Sequence, residues 1–74
     1  MMQEIIFNKL LEDYNARPSG PFMIKISGIY LIIKSDSVEI ILWTQSSTIL
    51  ESSSPTLFED IDAIVRKYNT NGRL

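Results

Sequence analysis

Residues 20–27, G-P-F-M-I-K-I-S, set one lysine in an apolar run with a serine two places beyond it. In an extended strand, residues two apart share a face. Lys25 and Ser27 then present an ammonium and a hydroxyl to one side, beside the turn amides of Ser27 and Gly28. Such a cluster can hold a phosphate or a carboxylate. The plainer alternative is an ordinary lysine on a solvated sheet face. Other chemistry has little to build on. The chain has no histidine and no cysteine, which removes the commonest general base, the thiolate nucleophile and the commonest metal ligands. Asp60 and Asp62 stand two apart on an expected helix and so do not face each other. Glu59 beside them does not repair that spacing for a metal. No phosphate loop of the G-x-x-x-x-G-K type is present. We expect no enzyme, no cofactor and no metal site.

Length and composition narrow the class further. Seventy-four residues allow one small domain, residues 1–74. With 45% apolar and 22% charged residues, the composition is that of a globular chain and not a disordered one. The lack of cysteine excludes disulfides and leads us to expect a reducing, intracellular (cytoplasmic) setting. Nine acidic against seven basic residues, with no basic block, argue against a nucleic-acid partner. The longest apolar runs, at 29–33 and 40–43, fall far short of the roughly 20 residues a membrane span needs. The opening M-M-Q-E-I-I-F-N-K lacks the basic n-region and cleavage site of a signal peptide. Met1 and the lack of linkers lead us to expect a whole protein.

The elements that must position Lys25 can be read from periodicity. Phe7, Leu10, Leu11 and Tyr14 recur at helical spacing, widened by Ile6, and predict a helix over 3–16. Pro18 bars its continuation, and R-P-S-G-P reads as a turn. Three strands are expected. Phe22 to Ile26 places Phe22, Ile24 and Ile26 on one face and Met23 and Lys25 on the other. Ile29 to Lys34 and Val38 to Thr44 follow, separated by the polar turn Ser35-Asp36-Ser37. Thr48 to Leu50 carries only a short strand signal. A second helix starts at S-P-T-L-F-E, where Thr56 and Glu59 match a capping box, and Asp60 and Asp62 suit the helix dipole. Leu57, Ile61, Ile64, Val65 and Tyr68 form its apolar stripe, and Asn71-Gly72 closes it. The expected fold class is α+β in the order α-β-β-β-α: a three-stranded antiparallel sheet flanked by two helices.

The stretch at 20–27 is similar to the G-x-F-L-[VI]-R-x-S signature of SH2 domains, the phosphotyrosine-reading modules. Gly20, Phe22, Met23, Ile24 and Ser27 fall in register, and Lys25 stands at the arginine position. F-E-D-I-D-A-I-V-R-K-Y, residues 58–68, resembles the family's F-x-x-L-x-x-L-V-x-x-Y helix, and N-K-L-L its E-x-L-L. The resemblance implies a minimal SH2-like core that reads a phosphotyrosine or another anionic peptide, with Lys25, Ser27 and Gly28 as phosphate ligands. A lysine offers a point charge where the family's arginine offers a planar fork. The chain also lacks the family's opening tryptophan and first strand. Its third strand, V-E-I-I-L-W, is apolar where the family has a histidine.

The sheet supplies a second reading. The second and third strands are apolar on both faces. Val38, Ile40 and Leu42 point one way, and Glu39, Ile41 and Trp43 the other. Helices on opposite faces would cover both, and this is the expected arrangement. Were both helices on one face, Tyr30, Ile32, Ile41 and Trp43 would form an exposed patch, with Trp43 and Tyr30 as anchors. That patch would suit a small interaction or inhibitor protein of viral or phage type, or a homodimer, and an open edge would suit strand addition. Two readings therefore stand, both of binding: a phosphopeptide reader at Lys25, and a protein-docking surface around Trp43.

Overall fold

The computed structural model describes residues 2–68. Two helices, α1 (Gln3–Asp13) and α2 (Leu57–Tyr68), bracket five strands: β1 (Pro18–Gly20), β2 (Met23–Ile26), β3 (Ile29–Ile33), β4 (Ser37–Ile41) and β5 (Ser47–Glu51). The strands form one antiparallel meander in the order β1-β2-β3-β4-β5. The fold class α+β holds, but the expected three-stranded sheet is corrected to five strands. Both added strands lie at edges. β1 hides in R-P-S-G-P, whose prolines suggest only a turn. At an edge, however, a proline's missing N–H can face away from the sheet at no cost. β5 hides in S-T-I-L-E, too short to carry a strong alternation by itself.

The turns explain the tight spacing of the central strands. Ile26 pairs with Ile29, so Ser27 and Gly28 are the whole loop. Their φ values of 47° and 87° are both in the left-handed region that a type I′ hairpin needs. Gly28 supplies this freely because it has no Cβ. The β4–β5 turn is closed by Leu42 N–H donating to the Ser46 carbonyl at 2.8 Å and Gln45 N–H to the Leu42 carbonyl at 2.8 Å.

α1 ends three residues short of the predicted 16. Asn15 adopts φ 48°, and two bonds stop the helix: Asn15 N–H to the Glu12 carbonyl at 3.2 Å, and Ala16 N–H to the Leu11 carbonyl at 2.9 Å. This is a Schellman stop with asparagine in the place glycine usually takes. At the start of α2 the expected reciprocal Thr56–Glu59 box is absent. The Thr56 hydroxyl donates instead to Asp60 at 3.0 Å, and Ser54 Oγ accepts the Thr56 N–H at 3.3 Å. Glu59 and Asp60 in the first turn, with Arg66 and Lys67 in the last, suit the helix dipole. The expected Asn71-Gly72 stop lies outside the described residues.

The layering is one-sided. Ile24, Ile29, Leu31, Ile33, Val38, Ile40 and Leu42 are buried on one sheet face. They share a single core with Ile6 and Leu10 of α1 and with Leu57, Ile61 and Val65 of α2. Both helices therefore cover the same face, and the expectation of helices on opposite faces is overturned. Phe22 joins this side, with its ring edge-on to Phe7 at 5.3 Å. Gln3 Nε2 ties α1 to β3 by donating to the Ile33 carbonyl at 2.7 Å. At the C-terminal end of α1, the Tyr14 hydroxyl donates across to Asp62 Oδ1 of α2 at 2.9 Å, and within α2 Arg66 Nε donates to Asp62 Oδ2 at 2.7 Å.

Candidate functional site

The sheet face that no described helix covers is the natural place to look for a site. Its side chains are those that alternate with the buried set, and strand register arranges them in rows. One row runs Lys25, Tyr30, Ile41, Ser47, and the next runs Met23, Ile32, Glu39, Ile49. Adjacent rows lie about 7 Å apart along the strands, because side chains repeat every second residue. Five of these eight residues are apolar or aromatic: Met23, Tyr30, Ile32, Ile41 and Ile49. Tyr30 is 36% exposed and Ile49 61% exposed, whereas Met23, Ile32 and Ile41 are half-buried.

Two of these eight residues are charged, Lys25 and Glu39, and Glu39 stands between Ile32 and Ile49. Glu39 is held by Lys34 at 3.0 Å, so the central carboxylate is neutralised within the face. The Lys25 ammonium lies 5.7 Å from the Tyr30 ring centroid, within range of a cation–π contact. Among the described residues, Lys25 makes no ion pair with a carboxylate. The exposed side of the sheet is thus an apolar centre with a neutral pair beside it and one cation at a corner.

The residues singled out in the sequence are partly brought together. Tyr30 and Ile41 are direct cross-strand partners, and Ile32 lies in the adjacent row. Trp43 lies elsewhere. The chain leaves the sheet after Ile41, and the Trp43 indole N–H donates to the Tyr68 carbonyl at the end of α2, at 3.0 Å. The ring is 57% exposed but is tied to the helix-bearing side. Ser27 and Gly28 are the two central residues of the β2–β3 turn, and Lys25 lies on β2 two residues before Ser27. The period-two rule that set Lys25 and Ser27 on one face ends at Ile26, because Ser27 leaves extended geometry.

Met23 and Ile49 complete the apolar face and were not among the candidate residues. For Met23 the signal was available, since it alternates with the buried Ile24. For Ile49 the signal required β5 to be recognised as a strand. At the Ser37–Glu51 end of the β4–β5 pair lies a shallow groove of about 460 Å³ lined by Asp36, Ser37, Ile49, Glu51 and Ser53. No group of three metal-ligating side chains occurs among the described residues, and none of their helices is long and apolar enough to cross a membrane.

Compared with protein-family models, curated proteins and solved structures, the chain matches none of them.

Proposed function

We propose that the chain is a non-catalytic binding module that docks a protein partner on the open face of its sheet, with Tyr30, Ile32 and Ile41 at the centre. One observation carries this reading: both helices pack on the same face, so that among the described residues nothing covers the apolar side chains on the other. Apolar faces of this kind, rimmed by polar groups, mark contact surfaces. Tyr30 has the anchor character, an aromatic body with a polar tip at low conformational cost. Trp43 belongs to the molecule's end and serves at most as the rim of such a contact.

The test compares capture of partners by the parent, by Tyr30→Lys and Ile41→Glu, and by Asn8→Lys, an exposed change on α1. The expected result is a partner retained by the parent and by Asn8→Lys and lost by both face variants, with all four equally folded by circular dichroism. Equal retention by all four overturns the reading.

A second reading is favoured by Lys25, an exposed cation free of carboxylate partners among the described residues and poised at the corner of the same face. In this reading Lys25, with Ser27 and Gly28, takes a phosphotyrosine or another anionic side chain, as the SH2-like stretch implies. Titration with phosphotyrosine, tyrosine and inorganic phosphate, followed by amide NMR shifts, tests it. Shifts at Lys25, Ser27 and Gly28 with the phosphorylated amino acid, absent in Lys25→Ala, support it. The absence of shifts rejects it.

A further inference from the structure

The two edges of the sheet differ, and the difference points to a partner. The β1 edge is blunted. It is only three residues long, begins with Pro18, breaks register between Pro18 and Gly20, and runs into Pro21 and a Phe22 held at φ 53°. Prolines, short length and irregular register are devices that keep a strand from adding there. β5 carries none of them. It runs five residues in unbroken register with β4, holds no proline or lysine, and presents Ile49 to solvent at 61% exposure.

Hydrogen-bond alternation shows which backbone groups β5 offers. Leu42 N–H bonds the Ser46 carbonyl at one end of the β4–β5 pair, and Ser52 N–H bonds the Asp36 carbonyl at 3.0 Å at the other. Hydrogen-bonded pairs alternate along an antiparallel ladder. Thr48 and Leu50, which face Ile40 and Val38, therefore make the inward bonds. Ser47, Ile49 and Glu51 turn their N–H and C=O groups outward. Those three residues are also exposed.

We propose that this edge pairs with the same edge of a second copy, β5 against β5 in antiparallel sense about a two-fold axis at Ile49, making one continuous sheet across two chains. This rests on the binding-module reading and names one partner for it. The self-match is specific. A two-fold at Ile49 sets Ile49 opposite its own copy and Ser47 opposite the second copy's Glu51. Every outward N–H and C=O of β5 then finds a mate, which no register shifted along the strand achieves. The side chains agree. The two Ile49 side chains extend the apolar face across the seam, and each Glu51 carboxylate meets a serine hydroxyl. The two Glu51 carboxylates stand about 14 Å apart along the strand direction, beyond the roughly 8 Å screening length at physiological salt.

The test is sedimentation equilibrium of the intact chain from about 10 µM to about 1 mM, the range suited to a small interface, with amide hydrogen exchange at both ends. The expected result is an apparent mass rising from 8.5 kDa toward twice that value. Protection of the Ser47, Ile49 and Glu51 amides should rise with concentration. Two variants disable the edge without touching the core. Ile49→Pro removes an outward N–H and leaves the β4–β5 bonds of Thr48 and Leu50 in place. Ile49→Lys sets two ammonium groups across the axis. Both should stay monomeric while keeping the parent's amide spectrum elsewhere, and Tyr30→Lys should still associate. A monomer at every concentration overturns the proposal, as does association that survives both Ile49 variants. Association lost in Tyr30→Lys but kept in the Ile49 variants also overturns it, in favour of face stacking. The binding-module reading stands or falls separately, on whether a different partner is lost with Tyr30→Lys.

Discussion

At the residue scale, Asp62 joins two parts of the molecule. It accepts from Tyr14, just past the end of α1, and from Arg66 one turn along α2. The Arg66 bond holds the Asp62 carboxyl below the usual carboxylate range, and the Tyr14 bond adds to this against the opposing effect of burial. Tyr14 is pushed the other way: burial first, then its bond to Asp62, raises the phenol well above its ordinary value. The two shifts act at opposite ends of the pH scale. A lowered carboxyl stabilises the fold above about pH 4 and loses that contribution as pH falls toward its folded value. A raised phenol contributes fully below about pH 10 and loses that contribution as pH rises further. Urea midpoints measured from pH 3 to 11 should therefore fall at both ends. Asp62→Asn should flatten the acid limb, and Tyr14→Phe the alkaline one. Tyr14→Phe should also cost about 1 kcal/mol at neutral pH, the usual worth of one such hydrogen bond. Unchanged slopes in both variants would deny the pair this role.

At the element scale, alternation along β4 separates two kinds of neighbour. Ile40 is fully buried in the core that both helices share, whereas Ile41 faces the open side. Ile40→Ala removes methylenes from a closed core and should cost about 2–5 kcal/mol. A domain this small has only about 3–5 kcal/mol of core stability, so the variant should be largely unfolded by circular dichroism at 25 °C. Ile41→Ala opens no cavity and should lower the urea midpoint only slightly. Comparable losses for the two would contradict the one-sided layering. The same element shows why a strand apolar on both faces is ambiguous: burial by helices and burial by a partner make the same demand on the side chains.

At the scale of the whole molecule, the Trp43 bond to the Tyr68 carbonyl joins the β4–β5 turn to the end of α2. That carbonyl is one of the orphans any helix leaves in its last turn, and the indole N–H satisfies it. Trp43→Phe keeps an aromatic ring and deletes the donor. It should leave amide exchange in β3 and β4 unchanged and speed it in the last turn of α2, with a loss near the low end of about 0.5–1.5 kcal/mol because the bond is exposed. Equal exchange in α2 with and without the indole would show that the contact holds nothing.

The residues dictated more of the parts than of their arrangement. The apolar stripes of α1 and α2, the Ser27-Gly28 turn, the parity that buries Ile24, Ile40 and Leu42, and the opposite parity of Met23, Lys25 and Ile41 were all legible, because each is a local rule of period or turn chemistry. The candidate face was legible as a set of residues in Tyr30, Ile32 and Ile41. Three things were not. The edge strands depend on a neighbour's hydrogen bonds, so Pro18 read only as a turn and S-T-I-L-E gave no more than a short strand signal at Thr48 to Leu50. Trp43 keeps strand parity in the sequence, but the chain turns one residue after Ile41 and carries it to α2. The side of the sheet the helices cover was undecided, since alternation defines two faces and leaves them equivalent until packing chooses one. Tertiary structure made that choice by placing Ile6, Leu10, Leu57, Ile61 and Val65 against a single face, and among the described residues the other face is left open by it.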